Sequence, residues 1–346
     1  MTEPDGRTLG FAILLAGRPK VGPRRLAELL AGPGAEAAWR EVGGDAGADP
    51  EATYARHRDA GVHVLVPGDG RYPDALAQDQ EHPALLFAQG DLGALGDARV
   101  AIVGTRRCTG AGAGIARELG RELTDAGVTV VSGLALGIDG AAHRGVLEAG
   151  GRPVGVVGSG LDVVYPSKHR DLWARVAHDG VLLSEAPLGA RPEPWRFPAR
   201  NRIIAALAHL VVVVESHAAG GAMLTVKEAA DRDVPVMAVP GSIRSASSAG
   251  TNQLIAEGCA PVLDATDVMV ALGLTAASRA VAADARRPPP PAGKVVLEAF
   301  DWEPVTLEHL ATRTGMRLPD LAVALEELLA GGWVTVAGGW YERASS

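Results

Sequence analysis

Between Arg99 and Met269, short unbroken apolar runs alternate with longer segments in which apolar residues recur every three to four positions. The runs read RVAIVG (99–104), VTVVSG (128–133), VGVVGSG (154–160), VLLSE (181–185), LVVVVES (210–216), VMAVPGS (236–242) and APVLD (260–264). Continuous Val-rich strands separated by amphipathic helices predict a parallel sheet covered on both faces. The segment 110–127 carries the helical period, with Ile115, Leu119 and Leu123 expected on its inward stripe. Ahead of this core, 9–15 and RRLAELL (24–30) read as short helices around Lys20-Val21-Gly22-Pro23, a helix-hairpin-helix or SAM-like arrangement. GVHVLVPG (61–68) reads as a strand, and RYPDALAQ and EHPALLFAQG as turn and helix pieces. Behind the core, Ala-rich sequence ends in Arg286-Arg287 and four prolines, a semi-rigid linker. Three helical segments and a two-stranded wing then predict a winged helix. The fold class is therefore α/β: residues 1–92 a small helical domain and connector, 93–273 an extended Rossmann-like sheet, 274–293 a linker, and 294–346 a winged-helix domain.

Six of the apolar runs carry a glycine or serine at, or one place before, their carboxyl end. In an open parallel sheet the ligand lies beyond the carboxyl ends of the strands, where bare amides and helix N-termini receive anions. The first turn, Gly104-Thr105-Arg106-Arg107, offers a hydroxyl and guanidinium groups to a phosphate. Ser132 and Gly133 close the second strand and Ser159 follows the third. Tyr165 lies three residues before Lys168, which pairs an aromatic face with a cation. In Trp195-Arg196-Phe197-Pro198-Ala199-Arg200-Asn201-Arg202, two aromatics interleave with three arginines at the start of a helix. There positive charge opposes the dipole unless an anion is bound. Gly241 ends the sixth run. The first turn departs from GxGxxG and the second strand ends without a carboxylate, which disfavours NAD or FAD, and no GxxxxGK[ST] supports ATP. Glu215 and Glu228 have no His or Ser partner in the sequence pattern, so chemistry is weakly signalled. No catalytic residue, cofactor or metal is expected.

Charge changes the picture only locally. The 346 residues carry a net charge of −8, which argues against a protein that coats duplex DNA broadly. Between Asp97 and Asp267, however, 17 Lys and Arg face 18 Asp and Glu, so the core is nearly neutral and a basic strip can act there. The winged tail from Lys294 holds eight acids and four bases, and its third helix carries Glu326 and Glu327, which points to a protein contact rather than duplex reading. Two cysteines, Cys108 and Cys259, outside any CxxC pattern, argue against a disulfide framework or a zinc site. No apolar run is long enough for a bilayer, and the first residues lack a signal-like pattern; the expected location is the cytoplasm.

Taken together, IVGTRR, VVSGLALGIDGAAHRG, GSGLDVVYPSKHRDL, LLSE, FPARNRIIAALA, GGAMLT, VPGS and GTNQLIAEGC resemble the DprA/Smf DNA-processing family over about 95–270. The resemblance implies a Rossmann-like protein that binds single-stranded DNA, dimerises, protects incoming strands in natural transformation and loads the RecA recombinase. It also implies that Arg106 lies in the strand pocket with Arg200 and Arg202 around it. One departure is Gly220-Gly221-Ala222-Met223, where many members carry a Ser-Gly. An alternative reading is a nucleotide hydrolase of the phosphoribohydrolase type, whose Thr-x-x-Glu is echoed by Thr225-Val226-Lys227-Glu228.

Overall fold

The computed structural model describes residues 5–274, 288–300 and 304–344, and the chain divides into two units, 1–276 and 277–346. The first opens with α1 (Gly6–Ala16), α2 (Pro23–Leu30), α3 (Ala35–Glu41) and α4 (Pro50–Asp59), followed by β1 (Val62–Leu65), α5 (Asp74–Ala77) and β2 (Leu86–Gly90). Strands and helices then alternate: β3 (Arg99–Val103), α6 (Gly110–Asp125), β4 (Thr129–Ser132), α7 (Ile138–Glu148), β5 (Val154–Val157), α8 (Arg170–Asp179) and β6 (Val181–Ser184). The second half continues with α9 (Arg196–Leu207), β7 (Leu210–Val213), α10 (Ala222–Ala230), β8 (Val236–Ala238), α11 (Ala249–Ala256), β9 (Ala260–Pro261) and α12 (Ala265–Ala271).

The nine strands described in this first unit form one sheet in the order β1-β2-β6-β5-β4-β3-β7-β8-β9. The seven from β3 to β9 are parallel, as their continuous apolar runs predict, whereas β2 joins β6 and β1 joins β2 antiparallel. Strand β3 pairs with β4 on one side and β7 on the other, so the winding reverses beside it. The turn after β3 therefore opens at the switch point.

Side-chain alternation sets the layers. Val100 and Ile102 of β3 pack with α6, α7 and α12, while Ala101 and Val103 pack with α9, α10 and α11. The helical stripe of α6 differs from the expected one: Leu119 and Leu123 are buried, but Ile115 is exposed and Gly112, Ala116 and Gly120 face inward. Small residues are needed because α6 and α7 nearly touch. A Cβ on Gly120 would stand 2.3 Å from the Ala142 carbonyl, and one on Gly145 would stand 1.9 Å from that of Arg117.

The N-terminal segment also differs from expectation. Residues 86–90, read as part of a helical piece, form β2, in which Phe87 packs among the N-terminal helices while Leu86 and Ala88 face the opposite layer. The run is too short for a helix and stops at Gly90, whose φ of +105° suits glycine. With β1 and β2 in the common sheet, a boundary at 92 cuts through one body.

In the second unit, α13 (Pro291–Glu298), β10 (Val305–Thr306), α14 (Leu307–Thr314) and α15 (Leu318–Ala330) precede β11 (Val334–Ala337) and β12 (Trp340–Arg343). The strands form an antiparallel sheet, β10-β12-β11, over a core that includes Val296, Leu310, Leu321, Leu325 and Leu328. The expected two-stranded wing thus gains a third strand, and α13 takes the last three residues of the expected linker. Linker positions 275–287, Arg286-Arg287 included, lie outside the described residues. Among the described residues no helix is long and apolar enough to cross a membrane.

Candidate nucleic-acid interface

A small cleft, of about 40 Å³, opens over the carboxyl ends of β3, β4 and β5, with Arg106, Gly133, Ser159, Tyr165, Phe197 and Arg200 among its lining residues. Its frame is set by the backbone. Gly137 precedes α7 at φ +81°, and a Cβ there would lie 2.3 Å from the Thr105 carbonyl, so the two turns can meet only through a glycine. Ile138 N–H donates to that same Thr105 carbonyl at 3.3 Å, and Thr105 N–H donates to the Glu215 carbonyl at 2.7 Å. The Glu215 carboxylate accepts from the Thr109 amide at 2.9 Å and hydroxyl at 2.5 Å, fixing the start of α6. Glu215 is therefore committed to the scaffold.

Arg106 is the exposed cation of the cleft. Its guanidinium lies 5.0 Å from the Phe197 ring centroid, and Phe197 in turn meets Tyr165 at 5.4 Å between centroids. Arg106 forms no hydrogen bond or ion pair with the described residues, so its donors are free for a ligand. An arginine over an aromatic ring beside a second aromatic offers both a phosphate clamp and a base-stacking platform. Arg107 is exposed on the same turn, its amide donating to the Thr105 hydroxyl at 3.2 Å.

Arg200 is different in kind. It is only 6% exposed, and its Nη1 donates to the Gly133 carbonyl at 2.7 Å and to the Val156 carbonyl. Burial lowers its pKa to about 10, opposed by the nearby Asp139 carboxylate, so it remains a cation at neutral pH. A Cβ on Gly133 would lie 2.3 Å from Arg200 Nη1, which explains the glycine. Asp139, in the first turn of α7, accepts from the Gly133 amide at 3.1 Å inside the protein. Burial pushes its carboxyl upward, and Arg200 counteracts that rise. Asp139 and Arg200 together hold the 133–135 turn from behind, a role the sequence pattern does not reveal.

Arg202, expected to grip the strand, does not reach the cleft. Two positions along α9 from Arg200, it turns to the opposite side and pairs with half-buried Glu185 at 2.6 Å. Burial pushes the Glu185 carboxyl up while this guanidinium pulls it down. Nor is the Ser132 hydroxyl at the rim: it is fully buried and donates to the Ile102 carbonyl at 2.6 Å, tying β4 to β3. Ser159 lines the cleft, but its hydroxyl donates to the Val163 carbonyl at 2.7 Å. Gly104 sits tight against Ile138 and the Glu215 carbonyl and shapes the turn. Lys168 is exposed and Asn201 half-buried, neither in the cleft lining. Gly241 lies at the end of β8, clamped on both backbone sides by the Asn252 side chain and also outside it. His143 is a core residue bonded to the Val154 carbonyl, its pKa lowered by burial to about 4.

Residues 63–273 match the family model described as DNA recombination-mediator protein A. This chain belongs to that family. The match starts within β1 and ends just past α12, so it includes the antiparallel strand pair as well as the parallel core. Among its relatives, the DNA processing protein DprA of Bacillus subtilis is 36% identical over 62% of this chain and 72% of that one. Protein Smf of Synechocystis is 32% identical over 83% and 81%. Among solved structures, DprA of Streptococcus pneumoniae superposes with a TM-score of 0.61 at 30% identity, covering 75% of this chain and 97% of that one. DprA of Helicobacter pylori, described for its single-stranded DNA binding mode, gives 0.55 at 29%, covering 61% and 95%. These likenesses place the cleft within the segment shared across the DNA recombination-mediator family.

Proposed function

We propose that the protein binds single-stranded DNA in the cleft at the switch point, shields it, and passes it to the RecA recombinase during recombination or transformation. The observation that carries this reading is Arg106: an unpaired, exposed guanidinium set over Phe197, with Tyr165 beside it and the 133–135 turn in the same cleft. A single strand can place a phosphate on the arginine while its bases stack on the rings. The described single-strand binding mode of the Helicobacter pylori relative supports the same choice of ligand. The hydrolase reading has less support. Glu228 is held by Arg232 at 2.7 Å, in a separate acidic hollow with Asp79 and Glu81, and does not line the cleft.

The remaining parts fit this role. The α1–α2 hairpin serves as a helix-hairpin-helix-like element, and the second unit as a winged helix whose α15, free of Lys and Arg, contacts protein rather than duplex. A homodimer forms through the sheet end at β9, where Ile243, Leu263 and Val270 are exposed apolar side chains on neighbouring segments. The cytoplasm is the compartment that holds these partners. Gel retardation of single- and double-stranded 30-mers at two salt concentrations tests the proposal. Retention of the single strand that weakens steeply with salt is expected; no retention, or equal retention of the duplex, overturns it. Free base released from nucleoside monophosphates, and lost in Glu228→Gln, establishes the hydrolase instead.

A further inference from the structure

Two walls of the strand cleft come from segments far apart in the chain: the turn after β4, with Gly133, Ala135 and Leu136, and the pair Tyr165-Pro166. The first wall is backbone held in an uncommon conformation. Leu134 is fully buried at φ +53°, a left-handed geometry that a leucine keeps only where its surroundings impose it. Its side chain packs in one core cluster with Val157, Leu172, Val176 and Leu182. Gly155 makes room for it, since a Cβ there would stand 2.8 Å from Leu134 Cδ1. The flanking peptide groups are tied down as well. Arg200 donates to the Gly133 carbonyl, the Gly133 amide donates to Asp139, and the Gly140 amide donates to the Ala135 carbonyl at 3.1 Å.

The Leu134 carbonyl itself accepts from Nδ1 of His169 at 3.0 Å. A carbonyl only accepts, so the ring carries a hydrogen on Nδ1, and burial lowers its pKa, which keeps it neutral. His169 is 4% exposed and lies behind the cleft rather than in its lining. The ring rests against the first turn of α7 at Gly140, where a Cβ would stand 2.3 Å from Cε1 and 2.9 Å from Nε2. A glycine inside a helix costs stability, and here it leaves the slot that the imidazole fills. The same residue also holds the second wall. Its backbone N–H donates to the Pro166 carbonyl at 2.9 Å and closes the turn that follows Tyr165, whose ring meets Phe197.

Resting on the single-strand reading above, we propose that His169 is a positioning residue for base stacking: its imidazole and its amide tie the Leu134 turn to the Tyr165 turn from behind and so set the spacing of the two cleft walls. Arg106 takes the phosphate, and the spacing decides whether the attached base fits against Tyr165 and Phe197 at the same time. Without the Nδ1–H, the Leu134 carbonyl is buried and unpaired, and the left-handed leucine loses one of its restraints. The turn then relaxes, and the stacking wall loses its register with the arginine. The phosphate contact survives, because Arg106 stands on a different turn.

Fluorescence anisotropy with dT12 and with a 12-mer of the same sugar–phosphate chain lacking every base separates stacking from phosphate binding. The full-length protein is expected to bind dT12 at least about fivefold more tightly, the low end of about 1–3 kcal/mol per stacked base. His169→Leu, which fills the space without a donor, is expected to bring that ratio to about one while affinity for the abasic strand stays within about twofold. His169→Asn keeps an N–H on the γ position and is expected to restore the ratio. Gly140→Ala pushes on Cε1 and is expected to lower the ratio in the histidine protein but not in His169→Asn, whose side chain ends before that atom; this pair decides the matter if His169→Leu does not fold. A ratio that survives His169→Leu, or one that Asn does not restore in a folded variant, overturns the positioning role and leaves the strand cleft standing. So does an equal loss for both strands in His169→Leu. Failure of the wild type to bind either strand overturns the single-strand reading itself.

Discussion

Replacing Arg200 with leucine tests the division between an arginine that supports the cleft and one that serves it. The leucine keeps much of the volume but orphans the Gly133 and Val156 carbonyls and leaves buried Asp139 without its neighbouring cation. Each buried carbonyl left unpaired costs on the order of 1 kcal/mol, and an uncompensated buried charge raises the total to about 3–5 kcal/mol. The loss also depends on pH. Because burial already raises the Asp139 carboxyl in the folded state, folding favours its proton, so its contribution is present at low pH and is lost as pH rises through the folded value. Without Arg200 that value rises further, so the penalty is smallest in acid and grows toward neutrality. Urea unfolding followed by tryptophan fluorescence at pH 5 and pH 8 measures both effects. A loss under about 1 kcal/mol at pH 8 refutes the supporting role of this arginine.

Three further outcomes follow from individual contacts. Gly145→Val drives a side chain into the Arg117 carbonyl, where even a Cβ stands at 1.9 Å, and should cost at least about 3 kcal/mol or abolish the folded state, seen by thermal melting. Buried His143, with its pKa lowered to about 4, is neutral in the folded protein, so stability should fall as pH drops from about 6.5 toward 4, by about 3 kcal/mol in all. His143→Gln should flatten that part of the profile in urea titrations. Phe197→Ala removes a stacking platform and should weaken oligo-dT binding by about 1–3 kcal/mol while leaving the salt dependence of anisotropy titrations nearly unchanged.

The parallel core was legible because its strands are buried on both faces and so read as unbroken apolar runs ending at the small residues that leave room for a ligand. The N-terminal pair was harder. Residues 86–90 form too short a run to separate strand from helix by period, and only pairing with β6 decides it. The stripe on α6 misled because close helix contact selects glycine and alanine, while periodicity favours Ile115. Along Trp195–Arg202 the sequence showed how many cations there are but not which way each faces. A helix turns about 100° per residue, so Phe197 and Arg200 reach the cleft, Arg196 the side of the α1–α2 hairpin and Arg202 the Glu185 pair. Glu185 and Asp139 gave no signal of their own, because their roles depend on partners distant in the chain.

Arg106→Ala gives the most direct test, since this exposed side chain has no polar partner among the described residues and its loss leaves the scaffold intact. Affinity for oligo-dT should be measured across a salt series. With one phosphate contact removed, binding should weaken roughly tenfold, and the slope of log K against log salt should become shallower by about 0.7. An unchanged slope and affinity would contradict a strand held at the switch point by Arg106.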